Sequence, residues 1–215
     1  MAEGWYHRRH WTRFRRELEE MAARWQRGRL LNVGCAHGPD FLPFRDGFEL
    51  WGLDSSSEML RFALKYRGKH GFEAGLVLGD ARWLPYADNA FDWAIAVAAY
   101  HNIRGHEGRM RAFAELRRVL RPGGEAFITV WNRWQPRFWL GGKEVLVPWK
   151  TRGSTVRRYY YLFSRRELVG CLERSGLEVM RVFPGEGYHF PMAAFSRNIC
   201  VLVRKRAGEH GSCCQ

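Results

Sequence analysis

The sequence predicts a doubly wound α/β fold, with a mostly parallel, seven-stranded sheet and a basic aromatic insertion. Short apolar runs at 30–33, 49–53, 76–78, 93–98 and 126–130 alternate with helix-period segments around 57–67 and 107–120, the rhythm of parallel βαβ units. The first run leads into a loop of small residues, Gly34-Cys-Ala-His-Gly38, and the next two end on Asp54 and Asp80. A glycine loop and acidic residues at the carboxyl ends of neighbouring parallel strands mark the crevice where such sheets bind nucleotides.

Ahead of the first run, Trp11, Phe14, Leu18, Met21, Ala22 and Trp25 recur at three- and four-residue intervals and predict an amphipathic helix over 11–27. Arg-Pro-Gly-Gly at 121–124 ends the helix of 107–120 and turns into the next strand, because proline stops a helix and paired glycines accept a sharp reversal. Beyond Trp131 the patterning fades into an aromatic, basic stretch that includes Trp134, Phe138, Trp139, Trp149 and Tyr159–Tyr161. Ser164-Arg-Arg-Glu167 has the form of a capping box, with Ser164 accepting a backbone N–H and Glu167 reaching back. It predicts a helix through about Ser175, closed by Gly176, and strands near 177–183 and 198–204 follow. The expected organisation is one domain over 1–207: a helical segment over 1–27, a core over 28–131 and a substrate-side part over 132–207, then a flexible tail at 208–215.

Hydrophobic residues make up 46% of the 215 and charged residues 27%, the balance of a globular chain rather than a disordered one. Apolar stretches such as Trp93–Tyr100 fall short of the roughly 18–20 residues of a membrane span, and no secretory signal pattern opens the chain. A soluble, cytoplasmic protein with no membrane partner is expected. Cys35, Cys171, Cys200, Cys213 and Cys214 form no C-x-x-C pair, which predicts reduced thiols and no metal site in the chain. The net charge of +13 is unevenly spread: residues 126–215 hold fifteen Lys and Arg against six acidic residues, whereas 1–125 hold twenty against sixteen. A second basic cluster comprises His7-Arg-Arg-His10, Arg13, Arg15 and Arg16. Such a field concentrates polyanions by counterion release, so nucleic acid is the natural partner.

Asp54 stands twenty residues after Gly34, the spacing at which an acidic side chain accepts hydrogen bonds from ribose hydroxyls. Asp80 closes Leu76-Val-Leu-Gly-Asp80, with Ala81 and Arg82 beside it. Together these residues predict a pocket for an adenosine.

Over about residues 28–131 the sequence resembles the class I S-adenosylmethionine methyltransferases, a Rossmann-like family. The resemblance rests on the glycine loop, Asp54, Gly79-Asp80-Ala81, Phe91-Asp92 and Leu116-Arg-Arg-Val-Leu-Arg-Pro-Gly-Gly124. It implies that Gly34, Cys35, Ala36 and Gly38 face the methionine moiety of the cofactor and that Asp54, with Ser55 and Met59 nearby, takes the ribose. Asp80 and Ala81, with Arg82 adjacent, would meet the adenine, and Val97 and Ala98 open a segment lining cofactor and substrate. Two positions depart from the family: Asn32 stands in place of an acidic residue and Ala36 in place of a glycine, so weaker cofactor binding is expected.

The C-terminal part resembles one subgroup, the wobble-uridine tRNA carboxymethyl methyltransferases of the AlkB-homologue methyltransferase-domain type. The matching residues are Val97-Ala-Ala-Tyr-His101-Asn102, Glu144-Val-Leu-Val-Pro-Trp149, Arg157-Arg-Tyr-Tyr-Tyr-Leu-Phe163 and Arg197-Asn198. The subgroup's opening segment is matched only by Thr12-Arg13-Phe14, where Arg13 would reach the cofactor carboxylate. An ionised carboxylate acceptor needs no general base but does need cationic or hydrogen-bonding groups to hold it in line, and His101, Arg158, Tyr159, Arg197 and Asn198 are the candidates. Resemblance further implies a tRNA anticodon loop as substrate and a small zinc-binding activator protein that pairs with a sheet edge. The alternatives are a small-molecule methyltransferase and an RNA-binding protein of this fold without activity.

Overall fold

The computed structural model describes residues 12–151, 154–185 and 192–207. Trp11, the basic cluster at 7–10, Cys213, Cys214 and the tail at 208–215 lie outside the described residues. Helix α1 spans Arg15–Trp25, followed by strands β1 (Gly28–Val33) and β2 (Phe48–Asp54), helix α2 (Ser57–His70) and strands β3 (Gly75–Leu78) and β4 (Phe91–Val97). Next come α3 (His106–Val119), β5 (Leu120–Trp131), a pair of strands β6 (Glu144–Thr151) and β7 (Ser154–Tyr161), α4 (Arg165–Arg174), β8 (Leu177–Pro184) and β9 (Asn198–Lys205). The main sheet has seven strands in the order β3-β2-β1-β4-β5-β9-β8. β1 to β5 run parallel, and β9 is antiparallel to both of its neighbours.

Both faces of the sheet are buried, which is why its central strands read as near-continuous apolar runs. Successive side chains point to opposite faces. Leu30, Ile95 and Phe127 pack with Leu18, Met21 and Trp25 of α1 and Tyr66 of α2, while Leu31, Ala94 and Ala126 pack with Phe113 and Leu116 of α3 and Leu168 and Leu172 of α4. Glu125, at the start of the regular part of β5, pins the C-terminal end of α1 by accepting from Arg24 Nη2 at 2.7 Å and Trp25 Nε1 at 2.8 Å. The helix therefore runs back along the sheet and delivers Thr12–Phe14 to the carboxyl edge, where these residues line the cavity described below.

Local chemistry sets the element ends. Ser56 caps α2 by accepting the Met59 N–H, and left-handed Gly71 closes it. Ser164 Oγ accepts the Glu167 N–H as the capping box requires. The Glu167 carboxylate does more than reach back: it also takes the Tyr161 hydroxyl and Lys143 Nζ, tying the base of the β6–β7 pair to α4. The Arg-Pro-Gly-Gly turn is absorbed as an irregularity between Phe91↔Leu120 and Trp93↔Glu125. A Cβ on Gly124 would strike the Asp92 carbonyl oxygen at 2.8 Å, so only glycine lets the two strands close there.

The sequence reading differs from the structure in one large respect. The insertion after Trp131 is not patternless: β6 and β7 form an antiparallel hairpin in register from Glu144↔Tyr161 to Thr151↔Ser154. β-Branched and aromatic residues in β7 favour a strand, while Pro148 in β6 is tolerated because a two-stranded ribbon consists only of edges. The first helix is also shorter than the predicted 11–27.

Candidate active site

The carboxyl ends of β1 to β4 open into one cavity of about 890 Å³, on the reversal point of the strand order between β1 and β4. Its size falls in the roughly 300–1,000 Å³ range of small-molecule sites. Gly34 sits at φ +74°, and a Cβ there would lie 2.7 Å from the Ala99 Cβ, so glycine is required for both backbone and space. The Gly34 and Cys35 amides both donate to the Leu53 carbonyl, at 2.7 and 3.0 Å, and the Gly79 amide donates to the Asp54 carbonyl at 3.0 Å. The ends of the first three strands are thus tied into one wall.

Asp54 organises that wall. One carboxylate oxygen accepts the Ala36 N–H and the other the Ser56 N–H, each at 2.9 Å. Burial pushes this carboxyl above the usual carboxylate range, with the backbone amides and the Arg158 charge pulling the other way. Asp80 is held below the usual range by Arg82, whose guanidinium lies 2.6 Å away. Gly34, Asp54 and Asp80 line the same cavity.

The opposite wall is made of rings and guanidinium groups. Trp131 and Tyr160 stack at 4.2 Å with 5° between their planes. The Arg197 guanidinium lies 5.1 Å from the Trp131 ring centre, and that of Arg158 lies 5.8 Å from both Trp149 and Tyr160. His101 is 1% exposed, packs against Trp131 and Tyr160, and accepts the Trp131 N–H on Nδ1 at 3.1 Å. Burial, reinforced by Arg158 and Arg197, holds its pKa down at about 3. The ring is neutral, and with Nδ1 accepting, its proton sits on Nε2.

Of the residues predicted for the cofactor, Arg13, Gly34, Ala36, Asp54, Ser55, Met59, Asp80, Ala81, Arg82, Val97 and Ala98 line this cavity; of those predicted for the acceptor, His101, Arg158, Arg197 and Asn198 do. Cys35, Gly38 and Tyr159 do not. The Cys35 side chain is fully buried in the core beside Gly52, where burial pushes its thiol pKa well up. Gly38, at φ +90°, makes the turn into a short 3-10 helix at Pro39–Phe44. Tyr159 lies on the other face of β7, its ring centre 4.5 Å from the Arg104 guanidinium. Asn32 does not reach the cavity either: it is fully buried, and neither side-chain amide atom has a hydrogen-bond partner among the described residues.

A family profile described as "Methyltransferase domain" matches residues 31–128. A methyltransferase-family protein of Encephalitozoon cuniculi is 34% identical over 181 residues, covering 80% of each chain. The chain belongs to the methyltransferase family. The human protein named probable tRNA methyltransferase 9B is 29% identical over 193 residues, covering 88% of this chain and only 38% of that one. The tRNA (carboxymethyluridine(34)-5-O)-methyltransferase of Schizosaccharomyces pombe is 23% identical over 175 residues, covering 70% of this chain and 73% of that one. Among solved structures, a SAM-dependent methyltransferase from Methanosarcina mazei shares the fold with a TM-score of 0.72 at 18% identity, over 87% of this chain and 98% of that one.

In this methyltransferase the cavity also takes in Asp40, Glu58, Arg104, Arg137 and Tyr160, which sequence reasoning did not single out. Tyr160 was within reach: once Arg158 is placed on a strand, the period of two puts Tyr160 on its face and Tyr159 on the other. Arg137 and Asp40 sit in short 3-10 helices, where no strand or α-helical period points to them.

Proposed function

We propose that the chain is an S-adenosylmethionine-dependent methyltransferase that acts on tRNA and esterifies a carboxymethyl group on a modified wobble uridine. The bound cofactor would supply a methyl group on a sulfonium, already activated for transfer. The donor set of the cavity suits it: the Asp54 carboxylate keeps acceptor capacity for a ribose beside the two amides it holds, Asp80 and Ala81 lie beyond it, and Arg13 offers a cation for a carboxylate.

One observation carries the acceptor assignment. β5, the turn after it, the hairpin and the lead into β9 contribute Arg137, Arg158 and Arg197 to the cavity, with aromatic rings and no carboxylate. The nearby His101 is neutral and too weak a base, at about 3, to take a proton from a hydroxyl or amine near neutral pH. Such a wall suits an acceptor that arrives already anionic, held in line by guanidinium groups while apolar rings exclude water. The names of the tRNA methyltransferase relatives and the basic C-terminal part, fifteen Lys and Arg against six acidic residues, support RNA as its carrier. The small zinc-binding activator would pair with β3, which joins the sheet on one side only and leaves Leu78 58% exposed.

Transfer of labelled methyl from S-adenosylmethionine to tRNA from cells lacking the gene tests the reading. The expected product is a methyl ester of a wobble uridine that mild alkali hydrolyses, read by nucleoside mass spectrometry. An alkali-stable methyl on base or ribose would overturn the acceptor assignment. Absence of RNA affinity at low salt would overturn the tRNA assignment.

A further inference from the structure

The turn that follows β5 spends buried polar groups on holding two indoles half in solvent. Asn132 is 3% exposed; its side-chain amide donates to the Ala194 and Ser196 carbonyls at 2.9 and 2.8 Å and accepts the Trp134 N–H at 3.1 Å. Gln135, 7% exposed, donates to the Asn132 carbonyl at 2.8 Å. Within this scaffold Trp139 Nε1 donates to the Trp134 carbonyl at 2.6 Å, and the Trp139 ring packs edge-on against Phe195. Despite this anchoring, Trp134 and Trp139 remain 48% and 52% exposed. A turn that served only the core would bury such rings, since a large apolar surface left in water contributes nothing to folding.

The surroundings select the occupant. Residues 126–143 carry Arg133, Arg137 and Lys143 and no acidic residue. The Arg133 guanidinium lies 5.4 Å from the Trp134 ring centre, and Arg137, in the same turn, lines the cavity. Fixed indoles beside guanidinium groups offer stacking to a π-face and charge to a phosphate, the combination that holds unpaired nucleotides.

We infer that Trp134 and Trp139 form a stacking platform for unpaired nucleotides of the RNA strand that flank the one entering the cavity. This rests on the reading of RNA as substrate and adds a location to it. The platform would recognise single-stranded loops over duplex, because paired bases hide their faces.

The test uses the whole chain with S-adenosylhomocysteine and two fluorescein-labelled RNAs, a stem-loop and a blunt duplex of the same stem, followed by anisotropy. W134A/W139A is expected to lose about tenfold to a hundredfold in affinity for the stem-loop, the range for one or two lost stacking contacts, and to bind the duplex as the wild type does. Trp83, 53% exposed on a different loop with the Arg82 and Arg111 guanidinium groups 5.1 and 4.4 Å from its ring centre, is the control for an indole–guanidinium pair away from the β5 turn: W83A keeps stem-loop affinity. W134L/W139L keeps apolar bulk without a π-system and decides the matter if the alanine variant no longer binds S-adenosylhomocysteine. Its stem-loop affinity should fall likewise. Stem-loop affinity within twofold of wild type in a variant that binds S-adenosylhomocysteine, or an equal loss in W83A, overturns the platform. A wild-type chain that binds neither RNA overturns the substrate reading itself, which is a different result from wild-type binding that the variants retain.

Discussion

On the β1–β3 side the cavity wall is mostly backbone and carboxylate, whereas on the β5 and hairpin side it is aromatic rings and guanidinium groups. The first wall stands on parallel strands whose ends are tied to one another by the Leu53 and Asp54 carbonyls, so its geometry is a consequence of the sheet. The second wall depends on side chains from a two-stranded ribbon and a connecting turn, fixed to the rest by Glu167, Lys143 and Tyr161. Substitutions on the second are therefore expected to act on the proposed acceptor far more than on the first, although the Arg158 charge is felt at Asp54. That separation is open to experiment, beginning where the largest effect is expected.

Asp54→Ala removes the group that orders the Ala36 and Ser56 amides and the expected ribose acceptor together. Charge-assisted hydrogen bonds contribute about 1.5–3 kcal/mol each, so S-adenosylhomocysteine affinity should fall by about a hundredfold in calorimetry. A loss below threefold would detach Asp54 from the cofactor. Arg158→Ala, on the opposite wall, should raise KM for RNA by about tenfold and leave S-adenosylhomocysteine affinity within about threefold, with Arg158→Lys recovering only part because a point charge lacks the fork. If both variants weaken cofactor and RNA alike, the two walls do not act separately.

His101 provides a pH test of the second wall. Its folded pKa of about 3 lies below the ordinary 6.5, so between those values the unfolded chain holds a proton that the folded chain does not. Stability therefore rises with pH across this window and is lost as pH falls below about 6.5, with a slope that approaches about 1.4 kcal/mol per pH unit. His101→Gln should flatten the difference curve, measured by urea unfolding of both proteins down to about pH 4.5. A slope unchanged by the substitution would mean that the ring is not held neutral. Its neutrality also predicts a kcat that shows no histidine titration between about pH 6 and 8.

The first wall was legible in the sequence and much of the second was not, for a physical reason. Gly34, Asp54 and Asp80 follow a fixed strand rhythm, and parallel strands of similar length bring their carboxyl ends to one edge whatever else varies. His101, Arg158, Arg197 and Asn198 could be named from a resemblance, whereas Tyr160 and Arg137 on the same wall could not. The choice between Tyr159 and Tyr160 depends on a period of two that is visible only once the hairpin is recognised, and Pro148 obscures it. Arg137 reaches the cavity through a turn whose shape is set by the buried amides of Asn132 and Gln135, partners far from obvious in sequence. The expected role of Asn32 turned on its type at a motif position, yet its side chain is buried away from the cavity.

The smallest effect concerns the other departure in the loop. Ala36 holds φ +49°, a left-handed conformation that costs a residue with a Cβ roughly 1–2 kcal/mol. Ala36→Gly relieves that strain but frees the unfolded chain by about 0.4–1 kcal/mol, so the net gain in stability should stay under about 1 kcal/mol. Removing the methyl also widens the cavity lining, and S-adenosylhomocysteine affinity should rise by no more than about threefold, a fraction of a kcal/mol for the space of one methyl group. Gly34→Ala, two residues earlier, should move stability the other way by about 1–3 kcal/mol, because there the added Cβ meets Ala99 as well as the left-handed backbone. Opposite signs at two positions of one loop would show that the backbone conformation, rather than the loop's composition, sets the first wall; weaker S-adenosylhomocysteine binding by Ala36→Gly would show instead that the methyl group makes a favourable contact and that the departure from glycine is an adaptation.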